Sequence, residues 1–132
     1  MARRGRPAEQ PQTRLQRLVL TTVEGITESL TLAGTLGVDP RLVIEVIDDS
    51  GLNSPYVQSK GPKMIDDDLD TPSFPLEAAA KDASLITDTA RAAGLHLGIA
   101  EVVRERLRLA ADDGLGRADV AATYRMSRQA TS

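Results

Sequence analysis

Residues 78–94 read AAAKDASLITDTARAAG, an alanine-rich run on which the fold class turns. Alanine is the strongest helix former, no proline interrupts the run, and Gly94 closes it in the position of a left-handed cap. The pattern predicts a helix from about Pro75 to Ala93 whose small side chains allow close approach to a neighbour. One charged pair, Lys81-Asp82, stands in its first turns. By physics alone the aspartate is favoured by the helix dipole and the lysine faces solvent.

Working outward, the segment before this helix, DDDLDTPSFP at 66–75, carries two prolines and four aspartates and reads as a loop. Upstream, Asp39-Pro40 and Ser54-Pro55 each combine a capping side chain with a proline suited to the first helical position. The first pair starts a helix with Val43, Ile44 and Ile47 on its apolar face, ending before Gly51. The second starts a short helix through about Lys60, which Gly61-Pro62 is expected to break, with another short turn to Ile65. A longer helix precedes both. From Thr13 towards Gly37, Leu15, Leu18, Val19, Val23, Ile26, Leu30 and Ala33 form a stripe at three- and four-residue spacing. After the GLHLG turn, Ile99 to Asp112 forms a further helix with Ile99, Val102, Val103, Leu107 and Ala110 inward. Asp119 caps a last helix through Met126.

No stretch shows sustained period-two alternation, so the fold is expected to be all-α, a multi-helix bundle. The 132 residues match one domain, and with 41% apolar but only 2% aromatic residues the core is built from Leu, Ile, Val and Ala. The organisation expected is a disordered basic tail over 1–12, a helical domain over 13–128 and a disordered tail over 129–132. Without cysteine there are no disulfides, thiolate metal sites or cysteine nucleophiles. No apolar stretch approaches the roughly 20 residues that span a bilayer, and the N-terminus lacks a signal peptide's apolar core, so the cytoplasm is the expected compartment.

Net charge is –3, with Arg3, Arg4, Arg6, Arg14 and Arg17 crowded at the start and the rest acidic, which argues against a broad nucleic-acid surface. Arg4-Gly5-Arg6-Pro7 has the form of an AT-hook core, two arginines laid into a narrow minor groove, against the plainer reading of an arginine-rich tail. Asp66, Asp68, Asp70 and Glu77 fall on acidic positions of a calcium loop. Thr71, however, stands where glycine is needed, so a solvated acidic loop is expected. His96 has no second histidine nearby and reads as a turn residue rather than a metal ligand. No glycine-rich nucleotide loop is present.

Three stretches, taken in order, resemble the C-terminal domain of the β-hydroxyacid dehydrogenases, the 3-hydroxyisobutyrate dehydrogenase group related to 6-phosphogluconate dehydrogenase. They are VEGITESLTLAGTLGVDP (23–40), FPLEAAAKDASLITDTARAAGL (74–95) and ADDGLGRADVAATYR (111–125). The resemblance covers about Leu15 to Arg128. It implies a helical domain that closes over NAD or NADP held by a Rossmann domain and that builds the subunit interface, with a homo-oligomer or a Rossmann-containing subunit as partner. By match of motif, Lys81 is the family's second lysine, which reaches the cofactor, and Phe74 packs at the same cleft. The family's catalytic lysine would fall near Gln12 and the asparagine after it near Leu15, and neither is there. Glutamine has no ammonium proton to give a developing alkoxide, and the guanidinium of Arg14 or Arg17 holds its proton too tightly. No catalytic residue is therefore assigned. The expectation is the detached C-terminal domain of an NAD(P)-dependent oxidoreductase, inactive alone, from a truncated, frameshifted or engineered start. The alternatives are a helical interaction module and a DNA-binding accessory protein acting through Arg4 and Arg6.

Overall fold

The computed structural model describes residues 9–129, with side chains over 15–128. Among them are six α-helices: α1 Glu9–Thr35, α2 Pro40–Asp48, α3 Pro55–Asp66, α4 Leu76–Ala92, α5 Gly98–Ala110 and α6 Thr123–Gln129. A wide helical turn, Ala111–Leu115, continues α5, and a 3-10 turn, Val120–Ala122, leads into α6. No strand occurs among the described residues, in agreement with the all-α expectation. Helix α1 starts at Glu9, four residues before its apolar period. Pro11 is tolerated there because the first-turn N–H groups of a helix have no intrahelical partner. Of the expected basic tail, residues 1–8 lie outside the described residues, as does Arg4-Gly5-Arg6-Pro7.

The caps read from sequence form. The Asp39 carboxylate accepts from the Arg41 N–H at 3.0 Å, and the Ser54 hydroxyl accepts from the Val57 N–H at 3.1 Å. Gly37 and Gly94 both take φ +80°, the left-handed geometry that ends α1 and α4. Helix α3 departs from expectation, running unbroken through Gly61-Pro62 to Asp66. Proline removes one helical hydrogen bond there, but the turns beyond it carry Met64, 1% exposed, into the core. Gly61 itself lets α2 approach: a Cβ on it would lie 2.4 Å from Ile44 Cδ1. Tertiary packing overrides the local break.

Leu20, Leu30, Leu76 and Leu107, each at most 1% exposed, centre the core, and small residues (Ala79, Ala83, Ala110, Ala121, Ala122) fill its helix contacts. Burying each large side chain contributes about 1.5–3 kcal/mol. Two stripe assignments are corrected. Leu15 and Leu18 are exposed, because the inward face of α1 runs through Leu20, Val23, Ile26 and Leu30, with Gln16 bonded to Asp82 of α4. Ile99 and Val102 are exposed too, since α5 turns Ala100, Val103, Leu107 and Ala110 inward. Both choices fit a 3.6-residue period, and only the neighbouring helices distinguish them.

Candidate functional site

The entry to α4 is held by backbone and side-chain contacts that meet at Asp119. Its carboxylate is fully buried, and Oδ1 accepts from the Ser73 N–H at 3.1 Å and the Phe74 N–H at 3.3 Å. Oδ2 accepts from the Ala121 N–H at 2.9 Å, the capping bond expected of this residue. Lys60, 2% exposed, donates from Nζ to both oxygens at 2.9 and 3.0 Å and to Ser73 Oγ at 2.9 Å. Burial works to raise the Asp119 pKa. The Ala121 N–H, the Lys60 ammonium and the Phe74 N–H outweigh it and hold the carboxyl below its ordinary value. The Val120 N–H donates to the Phe74 carbonyl at 2.8 Å, and the Leu76 and Glu77 N–H groups donate to the Ala118 and Gly116 carbonyls at 2.8 and 2.9 Å. The first-turn amides of α4 are thus occupied by the chain itself.

Lys81 lies in the second turn of α4, exposed, with no ion-pair partner among the described residues. Its neighbour Asp82 turns instead to α1, where Gln16 donates from Nε2 at 2.8 Å. Phe74 is half-buried against the core, its backbone fixed on both sides. The structure therefore presents a helix start held by hydrogen bonds on both sides, with the Lys81 ammonium unpaired among the described residues. Of the α1 positions singled out, Leu15 points to solvent and the side chain of Gln12 lies outside those described. The residue of α1 that does meet the Lys-Asp segment is Gln16. Neither it nor Lys60 was legible as a site residue, since their partners lie 66 and 59 positions away.

A second polar cluster joins α1, α5 and α6. Glu24, 6% exposed, accepts from Arg106 Nε at 2.6 Å and from the Thr123 hydroxyl at 2.9 Å, while Arg106 Nη2 donates to Ser127 Oγ at 2.9 Å. Beside it an open groove between α1 and α5 is lined by Gly25, Glu28, Gly98, Ile99 and Val102. Ile99 and Val102 are 62% and 59% exposed, leaving apolar surface uncovered.

The acidic loop does not converge on a point. Asp66 pairs with Arg41, Asp67 with Arg125 at 2.8 Å, and Glu77 lies against Gly116. No group of three metal-ligating side chains gathers among the described residues. His96 stays exposed in the turn before α5. No described helix is long and apolar enough to cross a membrane.

Comparison with known proteins gives a consistent set of matches. A family profile described as the NAD-binding domain of NADP-dependent 3-hydroxyisobutyrate dehydrogenase matches residues 14–127. Glyoxylate/succinic semialdehyde reductase 2, chloroplastic, of Arabidopsis thaliana is 29% identical over 121 residues, 88% of this chain and 34% of that protein. A crystal structure of 3-hydroxyisobutyrate dehydrogenase from Salmonella typhimurium superposes with a TM-score of 0.81 at 23% identity, covering 87% of this chain and 40% of that one. The Mycobacterium tuberculosis 3-hydroxyisobutyrate dehydrogenase with L-serine gives 0.78 at 21% identity, covering 89% and 42%. The chain spans about a third of the length of that reductase.

Proposed function

We infer the function of this chain from its family, for it belongs to the C-terminal helical domains of the 3-hydroxyisobutyrate dehydrogenase group. Its role is to supply one wall of a cofactor cleft in an NAD(P)-dependent oxidoreductase acting on a short β-hydroxy acid. The observation that carries this reading is Lys81, an unpaired ammonium on a firmly mounted helix within the segment that the family profile covers. Lys81 faces an anionic part of NAD or NADP, and Phe74 packs at the same cleft. Because the α4 amides are already bonded to Gly116 and Ala118, the attraction for anion rests on the lysine side chain rather than on a bare helix end. The nicotinamide group, when bound, carries the hydride. The side chains of this chain bind and orient, and no proton donor is assigned to them. The chain alone is inactive and works in the cytoplasm with a Rossmann-containing subunit or as a homo-oligomer.

A fluorescence titration with NADPH and NADH, run beside Lys81→Ala, tests the reading. Saturable binding that the variant loses supports it. No binding at millimolar cofactor rejects it in favour of a second reading, a non-catalytic interaction module, which the uncovered Ile99 and Val102 favour. That reading is checked by molar mass against concentration in the absence of cofactor.

A further inference from the structure

We propose that Lys60 and Asp119 are positioning residues for the cofactor wall, holding the entry of α4 so that Lys81 and Phe74 stand where a nucleotide cofactor meets them; this rests on the reading of Lys81 given above. The pair cannot touch a ligand itself, being 2% and 0% exposed. Nor does fold stability by itself account for a buried ion pair, since apolar residues of similar volume often serve as well or better. What apolar residues cannot do is accept hydrogen bonds. The Asp119 carboxylate takes the N–H groups of Ser73 and Phe74 on one oxygen and that of Ala121 on the other. Ser73 and Phe74 lie in a stretch with no helix to hold it, between α3 and α4.

Lys60 completes the device from α3. Its ammonium fixes both carboxylate oxygens and the Ser73 hydroxyl, and it lies 5.6 Å from the centre of the Tyr56 ring. From Phe74 a single residue, Pro75, leads into α4, and Leu76 and Glu77 are bonded to the segment just before Asp119. Lys81 stands five residues beyond Leu76, roughly 7.5 Å along a stiff helix axis. A shift at the entry is therefore passed to the ammonium. The opposite side of this mount is the Gln16–Asp82 bond to α1. A charge-assisted contact tolerates little displacement, so loosening the entry resembles removing the lysine.

The test is NADPH titration of the full chain as wild type, Lys81→Ala, Asp119→Asn and the double variant. An asparagine offers one acceptor oxygen where N–H donors converge on two, and it leaves Lys60 without its counter-ion. Each single change is expected to weaken binding roughly tenfold, and the double variant to bind no more weakly than either single one. A merely structural role leaves the Lys81→Ala loss intact in the Asp119→Asn background, so additive losses overturn the proposal. Unchanged NADPH affinity in folded Asp119→Asn does the same while sparing the cofactor reading. Wild-type binding that is absent, or indifferent to Lys81→Ala, rejects the cofactor reading and this proposal with it. If Asp119→Asn does not fold, Lys60→Met/Asp119→Asn takes its place, because it buries no lone charge. Amide hydrogen exchange supplies a readout without cofactor. Faster exchange at Phe74, Leu76 and Glu77, with Val103 and Leu107 protected as in the wild type, is the expected result, and uniform acceleration through α5 counts against a local mount.

Discussion

Replacing Lys60 by methionine separates the electrostatic worth of the buried pair from its packing. Methionine keeps much of the lysine's length and removes only the ammonium, which lies within 3.0 Å of both Asp119 oxygens. The carboxylate that remains is fully buried and retains three backbone N–H donors, from Ser73, Phe74 and Ala121. Removing one partner of a buried ion pair costs about 3–5 kcal/mol, and the surviving donors place this case near the lower end, about 3 kcal/mol. Against a total stability of about 5–15 kcal/mol this is a large loss, equivalent to a fall in Tm of roughly 10 °C for a chain of this size.

The pH dependence carries the sharper signature. In the wild type the Asp119 carboxyl is held below its ordinary pKa, so its stabilisation is present above the unfolded-state value and is lost only as pH falls through the depressed folded one. Without the lysine, burial becomes the dominant influence and pushes the same carboxyl upward. The variant then takes up a proton on its folded state in mild acid, where the wild type does not, and the gap between the two narrows as pH falls from neutrality. Urea unfolding followed by circular dichroism at neutral and mildly acid pH measures both effects. A Lys60→Met protein within about 1 kcal/mol of wild type at neutral pH, or a deficit of constant size across the range, excludes this electrostatic role for the ammonium.

Gly25 and Gly61 give opposite results on substitution by alanine. A Cβ at Gly25 meets nothing, so Gly25→Ala gains about 0.5–1 kcal/mol of helix stability, whereas at Gly61 the clash with Ile44 offsets that gain and destabilises; thermal melts compare the two. If the α1–α5 groove is a subunit interface, Gly25→Ala also weakens self-association, read by sedimentation. Glu24→Gln takes away the nearer, buried counter-ion of Arg106 and leaves only the exposed Glu28 at 3.7 Å; it is expected to cost about 2 kcal/mol, measured by urea unfolding, with no effect on NADPH affinity. Tyr56 is raised to about 12, first by burial and then by the nearby Asp119 charge, so its folded state holds the proton more tightly than the unfolded chain. That stabilisation is complete below the ordinary tyrosine pKa and fades as pH rises towards 12; ultraviolet titration of wild type against Tyr56→Phe detects the late-ionising group.

Most helices and most of their ends are set locally, because caps, prolines and left-handed glycines act within four residues of the bonds they satisfy. Asp39-Pro40, Ser54-Pro55, Gly37 and Gly94 all act as their local chemistry dictates. The family was legible by resemblance, from ordered short stretches around Lys81 and Asp119. Tertiary structure alone decided which of two equally periodic faces turns inward, exposing Ile99 and Val102 while burying Ala100 and Val103. It also carried α3 through Gly61-Pro62, since burial of Met64 and the fit of Ile44 against Gly61 outweigh one missing hydrogen bond. The mount of the candidate site lay beyond sequence reading for a related reason. Lys60 reads as the end of a short helix and Asp119 as an ordinary cap until the fold brings them within 3 Å of each other and excludes water from both.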